Sequence, residues 1–231
     1  MDLVLSSGFL AFARHLGVVQ AIEERGTAIE AVCGTSSGAL VGALWAAGCD
    51  AVQIARELGR DRPLAMMRLG ATPWRGLFTL DALAARMRAL LPARFDQLRR
   101  PLAVGVRDPA GHYRLLTDGP LPEAVAASCA IPHVFRPVLV DGVRFADGGA
   151  ADRVGLGAWG AWRGARTAVV HIVDRRLGRE VPADLDGHVV VRSARSRASF
   201  FGLGDFAAQA AETRALALAA LAAAERPGAS P

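Results

Sequence analysis

The sequence of 231 residues contains no lysine, so all 27 of its strongly basic side chains are arginines. The absence of lysine excludes Schiff-base chemistry and any mechanism in which a lysine activates a serine. The net charge of +5 therefore comes from arginine alone. The arginines are scattered, without the interleaved aromatic residues of a nucleic-acid site. We expect most of them to be solvated, and we expect no nucleic-acid partner.

Cysteines and long apolar runs are also scarce. Cys33, Cys49 and Cys129 have no paired spacing, which argues against both a disulfide framework and a zinc site. The sequence contains no other set of residues with the spacing of metal ligands, so we expect neither a metal nor a cofactor. No apolar run reaches the ~18 residues that span a bilayer. The first residues lack the basic start of a signal peptide. Together these features predict a cytoplasmic protein.

Strand-like and helix-like patterns alternate along the chain, which favours an α/β fold around a mostly parallel sheet. No repeat and no linker divides the sequence. We therefore predict one domain over residues 1–231, with its core at about 2–225 and a loose tail at 226–231. The candidate strands lie at 3–6, 29–33, 102–106, 113–116, 138–140, 143–146, 168–173 and 189–192, and the candidate helices at 13–25, 39–48, 50–58, 80–91, 122–130 and 205–224.

The most informative motif is Gly34-Thr35-Ser36-Ser37-Gly38. It lies between two apolar runs, so it predicts a strand, a sharp turn with Ser36 at its apex, and a helix. Gly34 and Gly38 would allow the tight backbone path and the close approach of neighbouring chain. The first amides of the helix favour negative charge near the Ser36 hydroxyl. This arrangement is typical of a serine nucleophile in acyl transfer.

A serine nucleophile needs a base, and a histidine is the first possibility. A triad of the α/β-hydrolase type would combine Ser36, Asp147 or Asp174, and His188 in that chain order. In that fold, however, several strands precede the nucleophile, whereas only one strand, loop and helix precede Ser36 here. We therefore expect each of the five histidines to be structural or superficial. They are His15, His112, His133, His171 and His188.

Asp147 is the better candidate for the base. It ends a predicted strand and is followed by Gly148 and Gly149, so the backbone can turn sharply beside its carboxylate. A hairpin turn is the alternative explanation for such a pattern. A second Asp-Gly pair at 141–142 already serves the predicted hairpin, which leaves the pattern at Asp147 available for function.

These motifs, in this order, resemble the patatin-like phospholipases and acyl hydrolases. Residues 3–18 look like the first strand, glycine-rich loop and helix of that family. Gly34-Thr35-Ser36-Ser37-Gly38 matches its nucleophile elbow, residues 127–138 resemble the stretch before its acidic motif, and Asp147-Gly148-Gly149 matches that motif. The resemblance implies a three-layer α/β/α fold and a catalytic dyad of Ser36 and Asp147 without a histidine.

The oxyanion loop departs from the family pattern of three glycines, one further residue, a basic residue and a glycine. The corresponding stretch is Ser7-Gly8-Phe9-Leu10-Ala11-Phe12, which keeps one glycine of the run. By the resemblance, Ser7, Gly8 and Phe9 form the oxyanion loop. Arg14 is a candidate for the missing positive charge. After the acidic motif, Asp152 stands where the family usually has asparagine, and we expect it to make a similar structural hydrogen bond.

Three functions stay open on the sequence alone. The first is a serine acyl hydrolase acting on a lipid, an ester or a thioester. The second is an acyltransferase or cyclase, favoured by an apolar loop that would exclude water, and the third is an acyl-binding scaffold with a weakened site. The expected partners are an acyl-ester or lipid substrate and a membrane surface or carrier-bound acyl group. Aromatic residues that could line an acyl channel or fill the core are Phe9, Phe12, Trp74, Phe78, Phe200, Phe201 and Phe206.

Overall fold

The computed structural model describes residues 1–60, 63–69, 77–164, 166–174 and 185–225. Trp74 and the tail predicted at 226–231 lie outside these ranges. The strands are β1 (Asp2–Leu5), β2 (Val32–Thr35), β3 (Arg68–Leu69), β4 (Phe78–Thr79), β5 (Leu102–Arg107), β6 (Tyr113–Leu116), β7 (Val138–Val140), β8 (Val143–Asp147), β9 (Ala168–Val173) and β10 (Val189–Ser193). The α-helices are α1 (Phe12–Arg25), α2 (Ser37–Ala46), α3 (Ala51–Gly59), α4 (Asp81–Leu90), α5 (Leu121–Ser128), α6 (Leu156–Arg163) and α7 (Phe206–Ala224).

Eight of the described strands form one sheet in the order β10-β9-β1-β2-β5-β8-β7, with β6 also paired to β5, whereas β3 and β4 form a separate two-stranded sheet. Neighbours from β10 to β5 run parallel, whereas β6, β7 and β8 pair antiparallel. Thr35 on β2 lies opposite Gly105 on β5, and Val106 on β5 lies opposite Asp147 on β8. The register therefore brings the end of β2 and the end of β8 to the two sides of β5 at the same level.

Both faces of the sheet are covered, which confirms the predicted α/β/α layering. On one face, Leu3 and Leu5 join a core with α1, α2 and α7. On the other face, Val4 and Cys33 pack with Trp159 of α6. Successive residues of β1 are thus buried in opposite directions, as expected for a strand of a doubly covered parallel sheet.

Helix α6 was not predicted from the sequence. Its segment, Leu156–Arg163, contains two glycines, which weaken helical propensity. Tertiary contacts stabilise it instead. Trp159 Nε1 donates a hydrogen bond to the buried carboxylate of Asp2 (3.1 Å), and Arg163 Nε donates to the same carboxylate (2.7 Å). These partners lie more than 150 residues apart in the chain, so local pattern could not reveal them.

Candidate active site

Ser36 lies at the sharp turn between β2 and α2, as the sequence predicted. Its backbone has φ 55° and ψ −120°, a conformation that non-glycine residues rarely adopt and that is typical of functional positions. The Ser36 N–H donates to Ser128 Oγ (2.8 Å), and Ser128 Oγ donates to the carbonyl of Gly105 (2.6 Å). The strained turn is therefore held by a side chain of α5 and by strand β5. Sequence reasoning did not assign this supporting role to Ser128.

The glycines around Ser36 are required by close backbone approach. A Cβ at Gly34 would lie 2.5 Å from the carbonyl oxygen of Gly38, at the start of α2. A Cβ at Gly38 would lie 2.7 Å from the carbonyl oxygen of Ser6. Both distances are too short for a carbon, so the turn can pack under the loop after β1 only with glycine at these two positions.

Asp147 ends β8 and is 5% exposed. Its N–H donates to the carbonyl of Ala130 (2.9 Å), and one carboxylate oxygen accepts from the Gly149 N–H (2.8 Å). A Cβ at Gly148 would lie 2.7 Å from the backbone of Gly105, so the turn after Asp147 packs directly on β5. Asp147 therefore lies at the same end of the sheet as Ser36.

A polar cavity contains both Ser36 and Asp147. It encloses about 1200 Å³ of empty space, part of it open to solvent. Ser7, Gly8 and Phe9 of the predicted oxyanion loop line the same cavity. The structure thus brings together the three groups of residues that the sequence analysis singled out. The remaining lining residues are Ile131, Pro132, Gly149, Ala150, Arg153, Val173, Asp174, Arg195, Ser196 and Ala198.

An apolar cavity of about 650 Å³ also begins at Ser36. Phe9 lines both cavities and packs edge to face on Phe200, with the ring centroids 5.1 Å apart. Ser36 therefore lies where a polar and an apolar cavity meet. The other side chains around the apolar cavity are Leu10, Phe12, Ser37, Leu40, Leu58, Pro63, Met67, Leu80, Leu83, Cys129, Ile131, Phe135 and Leu203.

The structure divides the aromatic candidates between cavity lining, core and surface. Phe9, Phe12 and Phe200 line the apolar cavity, and Phe78 contacts one of its lining residues at a ring distance of 6.3 Å. Phe206 packs against the core, and Phe201 is 76% exposed.

The loop between β1 and α1 is held through the carbonyl of Gly8. This oxygen accepts from Ser37 Oγ (2.7 Å) and from the Ala11 N–H (3.2 Å). Leu10 adopts φ 50°, a left-handed conformation that would suit glycine better. In the described part of the chain, the N–H groups of Gly8 and Phe9 donate to no protein acceptor. Both residues line the polar cavity, so these two amides are candidates for binding a ligand there.

The expectation that Arg14 supplies positive charge to the loop is wrong. Its side chain is buried between α1 and α7, where Nη1 donates to Glu212 (2.6 Å) and to the carbonyl of Gln209 (3.3 Å). The polar cavity is instead lined by Arg153, whose Nη2 donates to the carbonyls of Ser7 (3.2 Å) and Val173 (2.7 Å). The Arg14 side chain packs against α7, so its position in the sequence next to the loop was misleading.

None of the five histidines, all of which are described, lines either cavity. The ring of His188 packs on Trp159, and its Nδ1 accepts from the Ala168 N–H (3.2 Å). His112 and His133 are exposed. His15 and His171 are fully buried behind the loop. The expectation of structural or superficial histidines agrees with these positions.

A family model described as "Patatin-like phospholipase" matches residues 3–158, which include the elbow, the acidic motif and the loop. The chain belongs to the patatin-like phospholipase family. An uncharacterised NTE family protein of Mycobacterium tuberculosis is 30% identical over 205 residues, covering 86% of this chain and 57% of the relative. The chain thus spans little more than half the length of that relative. Lysophospholipase NTE1 of Saccharomyces cerevisiae is 48% identical over 54 residues, which are 23% of this chain and 3% of that protein.

Two solved structures share the patatin-like fold. VipD from Legionella pneumophila superposes with a TM-score of 0.60 at 15% identity, covering 96% of this chain and 66% of VipD. ExoU of Pseudomonas aeruginosa, in complex with SpcU, superposes with a TM-score of 0.54 at 14% identity, covering 98% of this chain and 53% of ExoU. At such identities the likeness concerns the fold alone.

After the acidic motif of this patatin-like chain, Asp152 accepts hydrogen bonds from the N–H groups of Val154 and Gly155, both at 2.9 Å. It therefore makes local hydrogen bonds of the kind we expected.

Across the described ranges, no helix has the combined length and apolarity needed to cross a bilayer.

Proposed function

We propose that this protein is a serine acyl hydrolase that cleaves acyl esters of lipids, with Ser36 as nucleophile and Asp147 as base. One observation carries the proposal. Ser36, in a strained turn, and the buried carboxylate of Asp147 lie on the two sides of β5 and line one cavity. An apolar cavity suited to an acyl chain begins at the same serine.

In the proposed reaction, Asp147 accepts the proton of the Ser36 hydroxyl as Oγ attacks the acyl carbonyl. The oxyanion of the tetrahedral intermediate receives hydrogen bonds from the N–H groups of Gly8 and Phe9 and from the first turn of α2. The intermediate then collapses, the bond to the leaving alcohol breaks, and the alcohol takes the proton from Asp147. Water, deprotonated by Asp147, hydrolyses the acyl-enzyme and regenerates Ser36.

A thiol near the site is not a competing nucleophile in this proposal. Cys129 also lines the apolar cavity, but burial raises the pKa of its thiol well above the usual value. The thiolate is the reactive form of cysteine, so Cys129 is unreactive near neutral pH. This chemistry favours Ser36 as the attacking group.

The mouth of the site supports a lipid as the source of the acyl group. Phe9 is 47% exposed, and Phe201, next to the cavity-lining Phe200, is 76% exposed. Leu64 and Leu77 are further exposed apolar side chains. Leu64 follows Pro63, which lines the apolar cavity, and Leu77 precedes Phe78, which pairs with the lining residue Phe135. Exposed apolar groups around a cavity, together with the exposed Arg195, suit contact with an anionic lipid surface better than contact with water alone.

Fluorophosphonate labelling tests the nucleophile. Wild-type protein should react covalently and hydrolyse p-nitrophenyl esters, whereas Ser36→Ala should do neither. Asp147→Asn should lower kcat by at least about 10³-fold, because the neutral amide cannot accept the proton. Ser199→Ala, at an exposed serine, is the matched control and should keep full labelling. Wild-type protein that is folded but takes up no label would refute the hydrolase and favour an acyl-binding scaffold.

Acyl transfer to an alcohol is the second candidate, and the position of Phe9 favours it. Its ring lies between the two cavities at Ser36, where it restricts the path of water to an acyl-enzyme. The partition of product between free fatty acid and acyl glycerol, measured with increasing glycerol, separates the two reactions. A product that remains free acid at high glycerol would exclude acyl transfer to this acceptor.

A further inference from the structure

Two histidines face each other inside the core, behind the oxyanion loop. His15 of α1 and His171 of β9 are fully buried, and their Nδ1 atoms lie 2.8 Å apart. His15 Nε2 lies 3.1 Å from Ser37 Oγ, and His171 Nε2 lies 2.9 Å from Ser193 Oγ of β10. The four side chains therefore form one buried hydrogen-bond chain, which runs from β10 to the first residue of α2.

The direction of this buried hydrogen-bond chain follows from its last acceptor. The carbonyl of Gly8 can only accept, so the single proton of Ser37 Oγ is donated to it. His15 must then donate from Nε2 to Ser37 and accept at Nδ1. His171 must donate from Nδ1 to His15 and accept at Nε2 from Ser193. Every donor is used once, and both rings are neutral.

Burial keeps both rings neutral. Desolvation lowers the pKa of His15 to about 3 and lowers that of His171 well below its ordinary value, with a further lowering from the neighbouring His15 and Arg14. The geometry and the protonation state thus agree on one arrangement.

The Ser37 end of the buried hydrogen-bond chain determines how the oxyanion loop orients its N–H groups. In a planar trans peptide, the C=O and the following N–H point in opposite directions. Anchoring the Gly8 carbonyl to Ser37 therefore orients the Phe9 N–H away from Ser37. The loop lacks the family's run of glycines, and Leu10 is in a strained conformation. This loop thus depends on an external anchor at Gly8.

We propose that His15, His171 and Ser193 are positioning residues, which act through Ser37 to hold the Gly8 carbonyl and so aim the Phe9 N–H at the acyl carbonyl above Ser36. The inference rests on the proposed function, because it assigns the Phe9 amide to the oxyanion of that reaction.

Ser193 is the most informative position, because it lines neither cavity. In Ser193→Ala, nothing donates to His171 Nε2, so a buried acceptor is unpaired and the wild-type tautomers lose part of their preference. In the fraction of molecules with the opposite tautomers, His15 accepts at Nε2, and Ser37 donates its single proton to His15 instead of to Gly8. We expect kcat to fall about 10-fold, less than the ~10²–10³ of a deleted oxyanion donor. KM should change by less than about threefold, since the cavities are unchanged.

Thr213→Val is the matched control. It removes one fully buried hydroxyl from α7, which packs on the same side of the sheet, and it should keep the wild-type kcat. A conservative test at the other end is His15→Gln, whose side-chain amide can still donate to Ser37, compared with His15→Leu, which cannot. Glutamine should retain most of the activity that leucine loses. Wild-type kcat in Ser193→Ala, with Ser36→Ala inactive, would overturn the inference and leave the proposed function standing.

Nuclear magnetic resonance decides the inference even if the wild type turns over no ester. In ¹⁵N-labelled protein, His15 should carry its proton on Nε2 and His171 on Nδ1. The Phe9 amide signal should move in Ser193→Ala and stay in place in Thr213→Val. The opposite tautomers, a charged ring at neutral pH, or an unmoved Phe9 signal would each overturn it.

Discussion

The buried pair of His15 and His171 should make the protein sensitive to mild acid. In the unfolded state each histidine takes up a proton near its ordinary pKa of about 6.5. In the folded state, burial lowers the pKa of His15 to about 3, and that of His171 is also well below the ordinary value. Between these limits the unfolded state binds more protons, so the free energy of unfolding falls as the pH falls.

The size of the effect at pH 5 follows from the same values. An unfolded histidine gains about 2 kcal/mol of protonation free energy between pH 8 and pH 5, whereas the folded His15 gains almost none. The lowered pKa of His171 adds a loss in the same direction, so the wild type should lose more than about 2 kcal/mol of its free energy of unfolding. Typical domains have only about 5–15 kcal/mol in total. This loss of unfolding free energy occurs at a higher pH than the range in which most carboxylates titrate.

Urea denaturation at pH 8, 7, 6 and 5, followed by circular dichroism, measures this loss. His171→Asn removes one of the two buried rings, so its free energy of unfolding should fall by only about 2 kcal/mol over the same interval. His112→Gln, at a histidine whose side chain is 77% exposed, is the control and should match the wild type. Equal pH dependence in wild type and His171→Asn would refute the reasoning, because the buried ring would then titrate as in the unfolded chain.

Two further substitutions test contacts on which the site and the second helical layer depend. Ser128→Ala removes the acceptor of the Ser36 N–H and the donor to the Gly105 carbonyl. It should lower the free energy of unfolding by about 1–3 kcal/mol and should also lower kcat. Unchanged values of both quantities would contradict the supporting role of Ser128. Asp2→Ala leaves Arg163 of α6 without its carboxylate and should cost about 3 kcal/mol by thermal denaturation. The double variant with Arg163→Ala should lose less than the sum of the two single changes, and strict additivity would argue against the pair.

The elements with regular local patterns could be predicted from the sequence. The hairpin at Asp141-Gly142 has positive φ at both residues, as its Asp-Gly pair predicted, and β9 has the predicted bounds. Strand β2 begins three residues later than predicted and extends to Thr35, because its end pairs with β5. Helix α6 was missed because its stability comes from the contacts with Asp2.

The sequence also identified the motifs of the candidate site but not their support. Ser36 and Asp147 were singled out because a serine between glycines and an aspartate before glycines are local patterns with a chemical meaning. Arg14 was misassigned because a side chain one turn into a helix can face away from the loop it follows. The role of Ser128 depends on the packing of α5 against β5, which no local pattern records.

The amino-acid sequence by itself determined the family, the α/β alternation and the positions of the candidate nucleophile and base, since these depend on residue type and short-range order. Only the tertiary structure decided that Ser36 and Asp147 share a cavity, because their approach depends on the register of β2, β5 and β8. The tertiary structure alone also joined His15 to His171, 156 residues away, because hydrogen bonds in a buried core form between whichever polar groups the fold brings within about 3 Å.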